Sequence, residues 1–508
     1  MKIERTKNAV RNMVWGYCFK AVSIVLPFIF RTAMIICLGA DYLGINSLFT
    51  SVLQVLSLSE LGFSSAMVYS MYKPIADNDT ESICALLNFY KKIYRYIGTV
   101  MLGIGCILIP FIPRLISGTY PNDINIYFVY FIFLLNSSLS YFLFAYKGSL
   151  LNAYQRNDIE SKILLLVSVI RYGIEIVGIY ITRQYYLFLA IELLSTVIQN
   201  ILKLISTNKL FPELIPRGSI SSNQKKEIKT NVLALLCHKI GGTILNSADN
   251  IVLSAFMGVI IVANYGNYYY IMNAIEGIII IVFTGLIGGI GNSFVTEETS
   301  KNRESFKKVL FFNAWIVCFC SACMICLYND FMELWVGREY MFDNGIVILI
   351  VLYFFVHSIR RTILAFRDGA GMWKDNMMQP LVSAGVNLIV NIILVQIIGL
   401  AGILISSIGS MVFIDIPWET RKFCNRIGME IRSYYILLLK YFTITVVCAG
   451  ACWIVASFIH FSPIFNLLLK LLICCIIANL FQVIIYRKKP EYQYFVSLVK
   501  KYLTKVHV

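Results

Sequence analysis

Long apolar segments alternate with short polar stretches along the whole chain. A helix needs about 20 mostly apolar residues to cross a bilayer, and fourteen segments meet this requirement. Arg171, Glu175 and Glu192 interrupt the fifth and sixth segments, which are the weakest of the set. The predicted spans are 14–39, 44–70, 91–112, 124–148, 161–181, 186–206, 231–256, 263–290, 308–328, 344–366, 378–397, 400–420, 434–459 and 463–486. This pattern predicts an all-α polytopic membrane protein with about fourteen transmembrane helices.

The composition supports the same class. Hydrophobic residues make up 58% of the 508, charged residues only 14%, and the mean hydropathy is +0.73. Soluble domains carry roughly 25% charged residues, so these values exclude an ordinary cytosolic enzyme and a disordered chain. The chain also lacks the phosphate-binding loop G-x-x-x-x-G-K-[ST] and the motifs H-E-x-x-H and G-x-S-x-G. We therefore expect no enzymatic activity, no metal and no cofactor.

The basic residues lie mainly on one side of the predicted spans. With the N-terminus in the cytoplasm, 36 of the 44 Lys and Arg residues fall at inner ends and loops, and only Arg114, Arg183 and Arg338 fall outside. The positive-inside rule describes this distribution. It predicts that both termini are cytoplasmic, and it accounts for the net charge of +16 without nucleic-acid binding.

A polar segment between the sixth and seventh spans divides the chain. Residues 207–230 carry two Pro and several Ser and Lys, which is typical of a linker. The last segment predicts an amphipathic surface helix, with lysines opposite an apolar face of Phe495, Leu498, Val499, Tyr502 and Val506. The predicted order is an N-terminal six-helix lobe at 1–206, a cytoplasmic linker at 207–230, a C-terminal six-helix lobe at 231–425, helices 13 and 14 at 426–486 and a cytoplasmic amphipathic tail at 487–508.

Weak internal similarity supports two related lobes. Leu38-Gly39 resembles Met257-Gly258, a pair that lies in the corresponding place of the second half. Three further correspondences have nearly the same offset along the chain, and they join Leu43-Gly44 to Val262-Ala263, Lys91-Lys92 to Lys307-Lys308 and Tyr146-Lys147 to Phe366-Arg367. Because each half has an even number of helices, the two repeats are predicted to be parallel, related by an axis along the membrane normal.

Four cysteines in the ninth span have a spacing that resembles a metal cluster. Cys318, Cys320, Cys323 and Cys326 form the pattern C-x-C-x-x-C-x-x-C inside the apolar run FFNAWIVCFCSACMICLY. A free thiol in such a run behaves as a small apolar side chain. The favoured interpretation is that these thiols pack in a lipid-embedded helix.

Six charged residues lie deep in the predicted spans. Lys20 and Arg31 are three helical turns apart, so they share one face of the first helix, roughly 16 Å apart along its axis. The offset between the repeats places Lys20 at the position of Lys239. Charges inside a bilayer usually face a cavity or a partner, which predicts a polar cavity between the lobes, although some of these charges could pair across helices and Lys20 could reach the inner surface. The deep acids are Glu60, Asp249 and Glu276.

Several motifs resemble a known family. The stretches FIFRTAMIICLGADYLGINSLFTSVLQVLSLSELG, YSMYKPIADND, HKIGGTILNSADNIVLSAF and FRDGAGMWKDNMMQPLVSAGVNLIVNIILV, together with LLNFYKKIYR, resemble Wzx-type polysaccharide flippases. These flippases are members of the multidrug/oligosaccharidyl-lipid/polysaccharide (MOP) exporter superfamily. The resemblance covers essentially the whole chain.

The resemblance implies a fold and an activity. The fold would be a MATE-like pair of six-helix lobes around a cavity that opens to alternate faces, followed by two more helices. The activity would be the flipping of undecaprenyl-diphosphate-linked oligosaccharide units across the bacterial cytoplasmic membrane, for O-antigen, lipopolysaccharide, capsule or exopolysaccharide synthesis. The expected partners are membrane lipids, a polysaccharide polymerase and a chain-length regulator, and coupling to a H+ or Na+ gradient is left open.

The resemblance also implies roles for the deep charges. Lys20, Arg31 and Lys239 would bind the diphosphate, and Asp249, Glu60 and Glu276 would be cavity acids with a part in ion coupling. The near balance of acids and bases departs from the strongly cationic cavity of some members. A drug/cation antiporter and a lipid II flippase share the fold and remain alternatives. A polysaccharide polymerase or ligase is a further alternative, but it would usually carry a large outer loop.

Overall fold

The computed structural model describes residues 5–57, 63–118, 120–370, 372, 378–459 and 461–497. The chain forms two compact units, residues 1–266 and 267–508. Within the described ranges the secondary structure is helical, with turns and no strand. This all-α architecture confirms the predicted fold class. The predicted boundary between the two lobes, at 207–230, was placed from the internal repeat and differs from the boundary between the compact units, which follows residue 266. The division into lobes stays a prediction.

Eighteen α-helices of very different length build the described part of the chain. In order they are α1 (Arg5–Cys37), α2 (Ala40–Leu56), α3 (Phe63–Ala76), α4 (Thr80–Leu108), α5 (Ile126–Phe142), α6 (Tyr146–Ala153), α7 (Asn157–Thr182), α8 (Tyr185–Leu210), α9 (Ser222–Met257), α10 (Val259–Thr296), α11 (Thr299–Trp335), α12 (Asn344–Ile359), α13 (Arg361–Gly369), α14 (Gln379–Ile398), α15 (Leu400–Ser410), α16 (Ile416–Arg426), α17 (Ile431–Ser457) and α18 (Pro463–Tyr486). A π-helical turn, Met411–Asp415, joins α15 to α16.

The predicted spans correspond to these helices. Among the described residues, ten helices are long and apolar enough to cross a membrane, and the pair α5 and α6, bent by 53°, gives an eleventh. The remaining three predicted spans, the second, seventh and eighth, fall on α2 with α3, on α9 and on α10. The chain is therefore a multi-pass membrane protein. Its orientation in the membrane stays a prediction.

The structure strengthens the internal repeat through its turns. Gly39 lies between α1 and α2 with φ +117°, and Gly258 lies between α9 and α10 with φ +86°. Gly118 and Gly337, which are separated by the same offset, have φ of +80° and +101°. Since L-residues with side chains rarely adopt these backbone angles, each pair marks the same required turn in both halves.

Two later landmarks also recur. The side chains of Asn125 and Asp343 cap α5 and α12, each accepting hydrogen bonds from the backbone N–H groups two and three positions further on. The left-handed residues Arg183 and Gly399 follow the ends of α7 and α14. The recurrence of caps and turns over both halves argues for duplication more strongly than the residue matches do.

The helix-free part of the predicted linker is short and packed. It comprises residues 211–221, because the Ser221 capping box begins α9 in the middle of the predicted linker. The Asn88 side-chain amide donates to the Gly218 carbonyl at 2.8 Å. The buried Lys147 ammonium donates to Asn208 Oδ1 at 2.9 Å and to the Leu214 carbonyl at 3.3 Å. These bonds fix the segment to α4, α6 and α8 within the first unit.

The cysteine-rich stretch of α11 packs in the second unit. Cys318 and Cys326 are buried in one apolar cluster with Cys448 and Cys452 of α17 and Cys474 of α18. Small thiols allow the three helices to approach closely. The packing interpretation is confirmed for Cys318 and Cys326, which are 2% and 7% exposed.

The first residues of the predicted tail contact α11. The Tyr492 ring stacks on Trp315 at 5.7 Å between centroids, and Phe495 packs on Phe312 at 5.3 Å. The described part of the tail, 490–497, therefore binds to the protein's own aromatic side chains. The other four residues of the predicted apolar face lie outside the described residues.

A close helix contact in the first unit makes Gly44 a test of the packing. A Cβ atom at Gly44 of α2 would overlap the backbone carbonyl of Val259. We expect Gly44→Ala to cost about 1–3 kcal/mol in unfolding free energy, because overpacking forces backbone shifts. The measurement is SDS-induced unfolding of the purified protein in detergent.

Gly103→Ala is the matched control for this substitution. Gly103 lies inside α4 with no heavy atom within 4 Å of its Cβ position, so alanine should leave stability unchanged or slightly higher. Equal stability of the two variants would contradict the close approach at Gly44.

Candidate functional site

The first predicted cations lie on one uninterrupted helix. α1 runs through Pro27 from Arg5 to Cys37, so Lys20 and Arg31 are on the same helix as predicted. Lys20 is exposed and Arg31 is half-buried. A Cβ atom at Gly266 would lie 3.0 Å from Arg31 Nη2. Gly266 therefore leaves space for the guanidinium group of Arg31 at the start of α10.

α9 carries the predicted acid Asp249 on a polar surface. Asp249 is 8% exposed. The neighbouring Asn250 side-chain amide donates to Ser51 Oγ at 3.0 Å, and Ser247 Oγ donates to Gln54 Oε1 at 3.2 Å. The two pairs run in opposite chain directions, so α2 and α9 are antiparallel and joined by polar contacts. Sequence reasoning missed these uncharged residues, although their matching spacing on both helices was visible.

Two predicted site residues cannot be placed. Glu60 lies outside the described residues, and so does the side chain of Lys239, whose backbone belongs to α9. The first unit thus contains Lys20, Arg31 and Asp249 as described side chains. Their proposed roles toward a substrate stay predictions.

The predicted acid Glu276 lies in a buried network of the second unit. Its carboxylate, on α10, is 4% exposed. Oε1 lies 2.7 Å from His357 Nδ1 and accepts a hydrogen bond from Ser358 Oγ at 3.4 Å, while Oε2 lies 3.7 Å from Arg361 Nη2. The His357 ring also stacks on Tyr353, with centroids 5.7 Å apart. Glu276 is therefore held by three side chains from one short stretch.

That stretch is the break between α12 and α13. The sequence HSIRRT at 357–362 follows a strongly apolar helix, and its polar side chains pair with surrounding helices. Asn313 of α11 donates to the Ser358 carbonyl at 2.8 Å and to Thr362 Oγ1 at 3.1 Å. Polar side chains of α10 and α11 therefore contact the break, and a polar side chain of α16 lies next to it.

Arg360 forms the second ion-pair group of this break. Its guanidinium Nη1 lies 3.0 Å from Asp415 Oδ2, and Nη2 lies 2.7 Å from Glu419 Oε1. The Gln379 side-chain amide also donates to Asp415 at 2.6 Å. Asp415 lies at the end of the π-helical turn, and its side chain is buried in the protein, 2% exposed.

Lys470 and Arg171 also form ion pairs inside predicted spans. Lys470 pairs with Asp330 at 2.6 Å, with its side chain 12% exposed. Arg171 pairs with Glu175 at 3.6 Å, as their i,i+4 spacing predicts, and also with Glu192 at 3.5 Å. In each case a charge inside a span has an opposite charge on a neighbouring helix.

The arrangement around Glu276 joins an acid to two basic side chains. His357 and Arg361 are 26% and 27% exposed, whereas the Glu276 carboxylate is buried. The sequence signal for this group is a histidine and two arginines at the end of an apolar segment.

Comparison with known proteins gives the fold a precedent. No protein-family model and no curated protein sequence matches the chain. Among solved structures, the lipid II flippase MurJ in an inward closed conformation is similar with a TM-score of 0.64 and 15% identity over 94% of this chain and 99% of that one. This protein has the MOP transporter fold.

Two further MOP structures support that statement. An inward-facing multidrug resistance MATE transporter is similar with a TM-score of 0.62 and 15% identity, over 80% of this chain and 98% of that one. The Vibrio cholerae MATE transporter VcmN is similar with a TM-score of 0.53 and 13% identity, over 80% of this chain and 94% of that one. These neighbours are transporters and flippases rather than enzymes. At such low identity, their similarity shows the fold alone.

The buried Arg360 group allows a direct test. Arg360→Met leaves Asp415 and Glu419 buried without their cation, so we expect a loss of about 3–5 kcal/mol in unfolding free energy. Arg338→Met is the matched control, because the Arg338–Glu333 pair has a similar distance, 2.6 Å, but its Arg side chain is 82% exposed. The control should lose under about 1 kcal/mol. SDS titration in detergent measures both, and equal losses would contradict the assigned burial.

Proposed function

We propose that this protein flips undecaprenyl-diphosphate-linked oligosaccharide units across the bacterial cytoplasmic membrane for surface polysaccharide synthesis. The observation that carries the proposal is the similarity to a lipid flippase over 94% of the chain, against 80% for the two drug transporters. The larger share of this chain that is similar to the lipid flippase favours a lipid substrate.

The substrate sets a physical requirement. A diphosphate cannot cross hydrocarbon unaided, because moving its charge out of water costs many kcal/mol, whereas a polyprenyl chain can remain in lipid. The protein must therefore offer a polar path beside the membrane with cations at the head-group level. Arg and Lys suit this task, Arg by two parallel hydrogen bonds and Lys as a point charge.

Lys20, Arg31 and Lys239 are the proposed phosphate ligands. Arg31 is the best supported, since its guanidinium lies beside Gly266, where the absence of a side chain leaves room. Lys20 is exposed on the same helix, as a ligand for an incoming head group would be. Asp249 would repel a diphosphate, so its proposed role, like that of Glu60, is to hold a cation or to take part in ion coupling.

The Glu276–His357–Arg361 group is the proposed coupling site. Its members lie within hydrogen-bond or ion-pair reach, and one proton changes its net charge. A change of charge inside a low-dielectric region alters the pairing of Arg361 and so can favour one of two conformations. H+ is therefore favoured over Na+, because an imidazole in contact with the acid suits a proton better than a metal ion.

Lipid II flipping is the second candidate, because the similar flippase is described with that substrate. One experiment separates the two. Lipid-linked oligosaccharides and lipid II are isolated from cells with and without the gene, and a membrane-impermeant label reports the leaflet of each. We expect oligosaccharide lipids to accumulate in the inner leaflet without the gene while lipid II is unaffected. The reverse result would favour the second candidate.

Arg31 variants test the phosphate role in the same assay. A charge-assisted contact to phosphate contributes on the order of 1.5–3 kcal/mol, so Arg31→Ala should reduce flipping about ten- to a hundredfold. Arg31→Lys should recover part of it if the contact is bidentate. The control is Arg114→Ala, since Arg114 is exposed on the other predicted side. Normal flipping by Arg31→Ala, or its loss from the membrane, would contradict the assignment.

Glu276→Gln tests the coupling role. The amide retains the size and one hydrogen bond but cannot change charge, so flipping in vesicles should no longer respond to an imposed pH gradient. Glu304→Gln is the control, because Glu304 is 70% exposed. A Glu276→Gln protein that still follows the pH gradient would exclude this residue from coupling.

A further inference from the structure

The first unit contains a cavity of about 530 Å³, and none of the predicted site residues lines it. It lies where the end of α3, the start of α4 and the first turns of α9 meet. Six of the lining residues carry the argument, and they are Tyr69, Tyr72, Lys73, Asp77, Asp79 and Gln224. The volume falls within the range of small-molecule sites, about 300–1,000 Å³.

Two tyrosine rings form one wall of this cavity. Tyr69 and Tyr72 have i,i+3 spacing on α3, so they share a face of the helix. They are 63% and 48% exposed. Their ring centroids lie 6.3 Å apart, and the angle between the ring planes is 76°. An exposed aromatic face carries partial negative charge, which attracts the weakly positive C–H groups of a sugar ring. The wall is therefore suited to stacking against saccharides.

The charges around the cavity argue against a phosphate ligand. Lys73 is opposed by two carboxylates, Asp77 and Asp79. Asp79 Oδ1 accepts a hydrogen bond from Ser82 N at 3.0 Å, and the hydrogen bonds from Ser82 lower the pKa of Asp79, which is therefore ionised at neutral pH. A diphosphate would be repelled, whereas sugar hydroxyls can donate to both carboxylates and accept from the lysine.

The cavity continues along the packed segment 211–221. A second cavity of about 430 Å³ shares Ser82 and Gln224 with the first. A third, of about 380 Å³, shares Gly218 and Ser219 with the second.

We propose that this tyrosine groove, defined by Tyr69, Tyr72, Lys73, Asp77, Asp79 and Gln224, binds the saccharide part of the lipid-linked oligosaccharide. By the Lys and Arg distribution, the groove faces the cytoplasm, where the substrate is loaded. The inference rests on the proposed function and deepens it, because it separates a sugar site from the cations that hold the diphosphate. Discrimination between oligosaccharides would then arise in the groove.

The competing explanation is that the tyrosines anchor α3 at the membrane interface, where this residue type is common. A binding experiment with two lipid probes separates the explanations. The protein is purified into nanodiscs and titrated with undecaprenyl diphosphate and with the lipid-linked oligosaccharide extracted from the host strain, and native mass spectrometry measures both.

We expect the double variant Tyr69→Leu/Tyr72→Leu to bind the oligosaccharide lipid about tenfold more weakly and undecaprenyl diphosphate as well as the wild type does. Retained binding of undecaprenyl diphosphate also shows that the variant is folded. Tyr69→Phe/Tyr72→Phe keeps the rings and should retain most of the binding. Tyr180→Leu is the matched control, because Tyr180 of α7 is 74% exposed and lies outside the groove.

Each other outcome overturns the proposal in a recognisable way. Unchanged oligosaccharide binding by the leucine double variant overturns the groove alone. Equal weakening for both lipids, or the same weakening in Tyr180→Leu, assigns the tyrosines to membrane anchoring. Failure of the wild-type protein to bind either lipid overturns the proposed function and this inference together.

Discussion

A charge inside a membrane span needs an opposite charge, and this constraint organises much of the described structure. Different helices are joined by the pairs of Arg360 with Asp415 and Glu419, of Lys470 with Asp330 and of Arg171 with Glu192. Hydrocarbon offers no water to an unpaired ion, so each pair fixes which helices are neighbours. Glu276 is paired differently, because one of its two basic partners is a histidine, His357.

The duplication determines where the chain can vary. Turns and caps recur at a nearly constant offset, from Gly39 and Gly258 to Arg183 and Gly399. The buried charges do not recur in the same way, since the network at the α12–α13 break belongs to the second unit. Two copies of one scaffold have thus kept their backbone landmarks while their polar side chains diverged.

The sequence predicted the fold well and the site in part. Among the described residues, ten or eleven of the fourteen predicted spans fall on helices that are long and apolar enough to cross a bilayer, because the bilayer imposes that length. The selection of Glu276 and Asp249 as charged residues inside apolar segments followed from the same reasoning, and both are buried in the structure. Their partners did not, because His357 and Arg361 come from a break in a helix whose position depends on packing. The pairing of Asp415 was not predicted for a similar reason, since a π-helical turn changes the direction of a side chain without an obvious signal in the residues.

The packed connection between α8 and α9 has a mechanical consequence. A slack linker would allow the helices on either side to move independently. Here Lys147 is buried, 3% exposed, and its hydrogen bonds to Asn208 and Leu214 hold the segment, while Asn88 holds it near Gly218. A shift at the start of α9 would therefore strain the hydrogen bonds that join this short segment to α4 and α6. The segment therefore limits how far α9 can move before these hydrogen bonds must break.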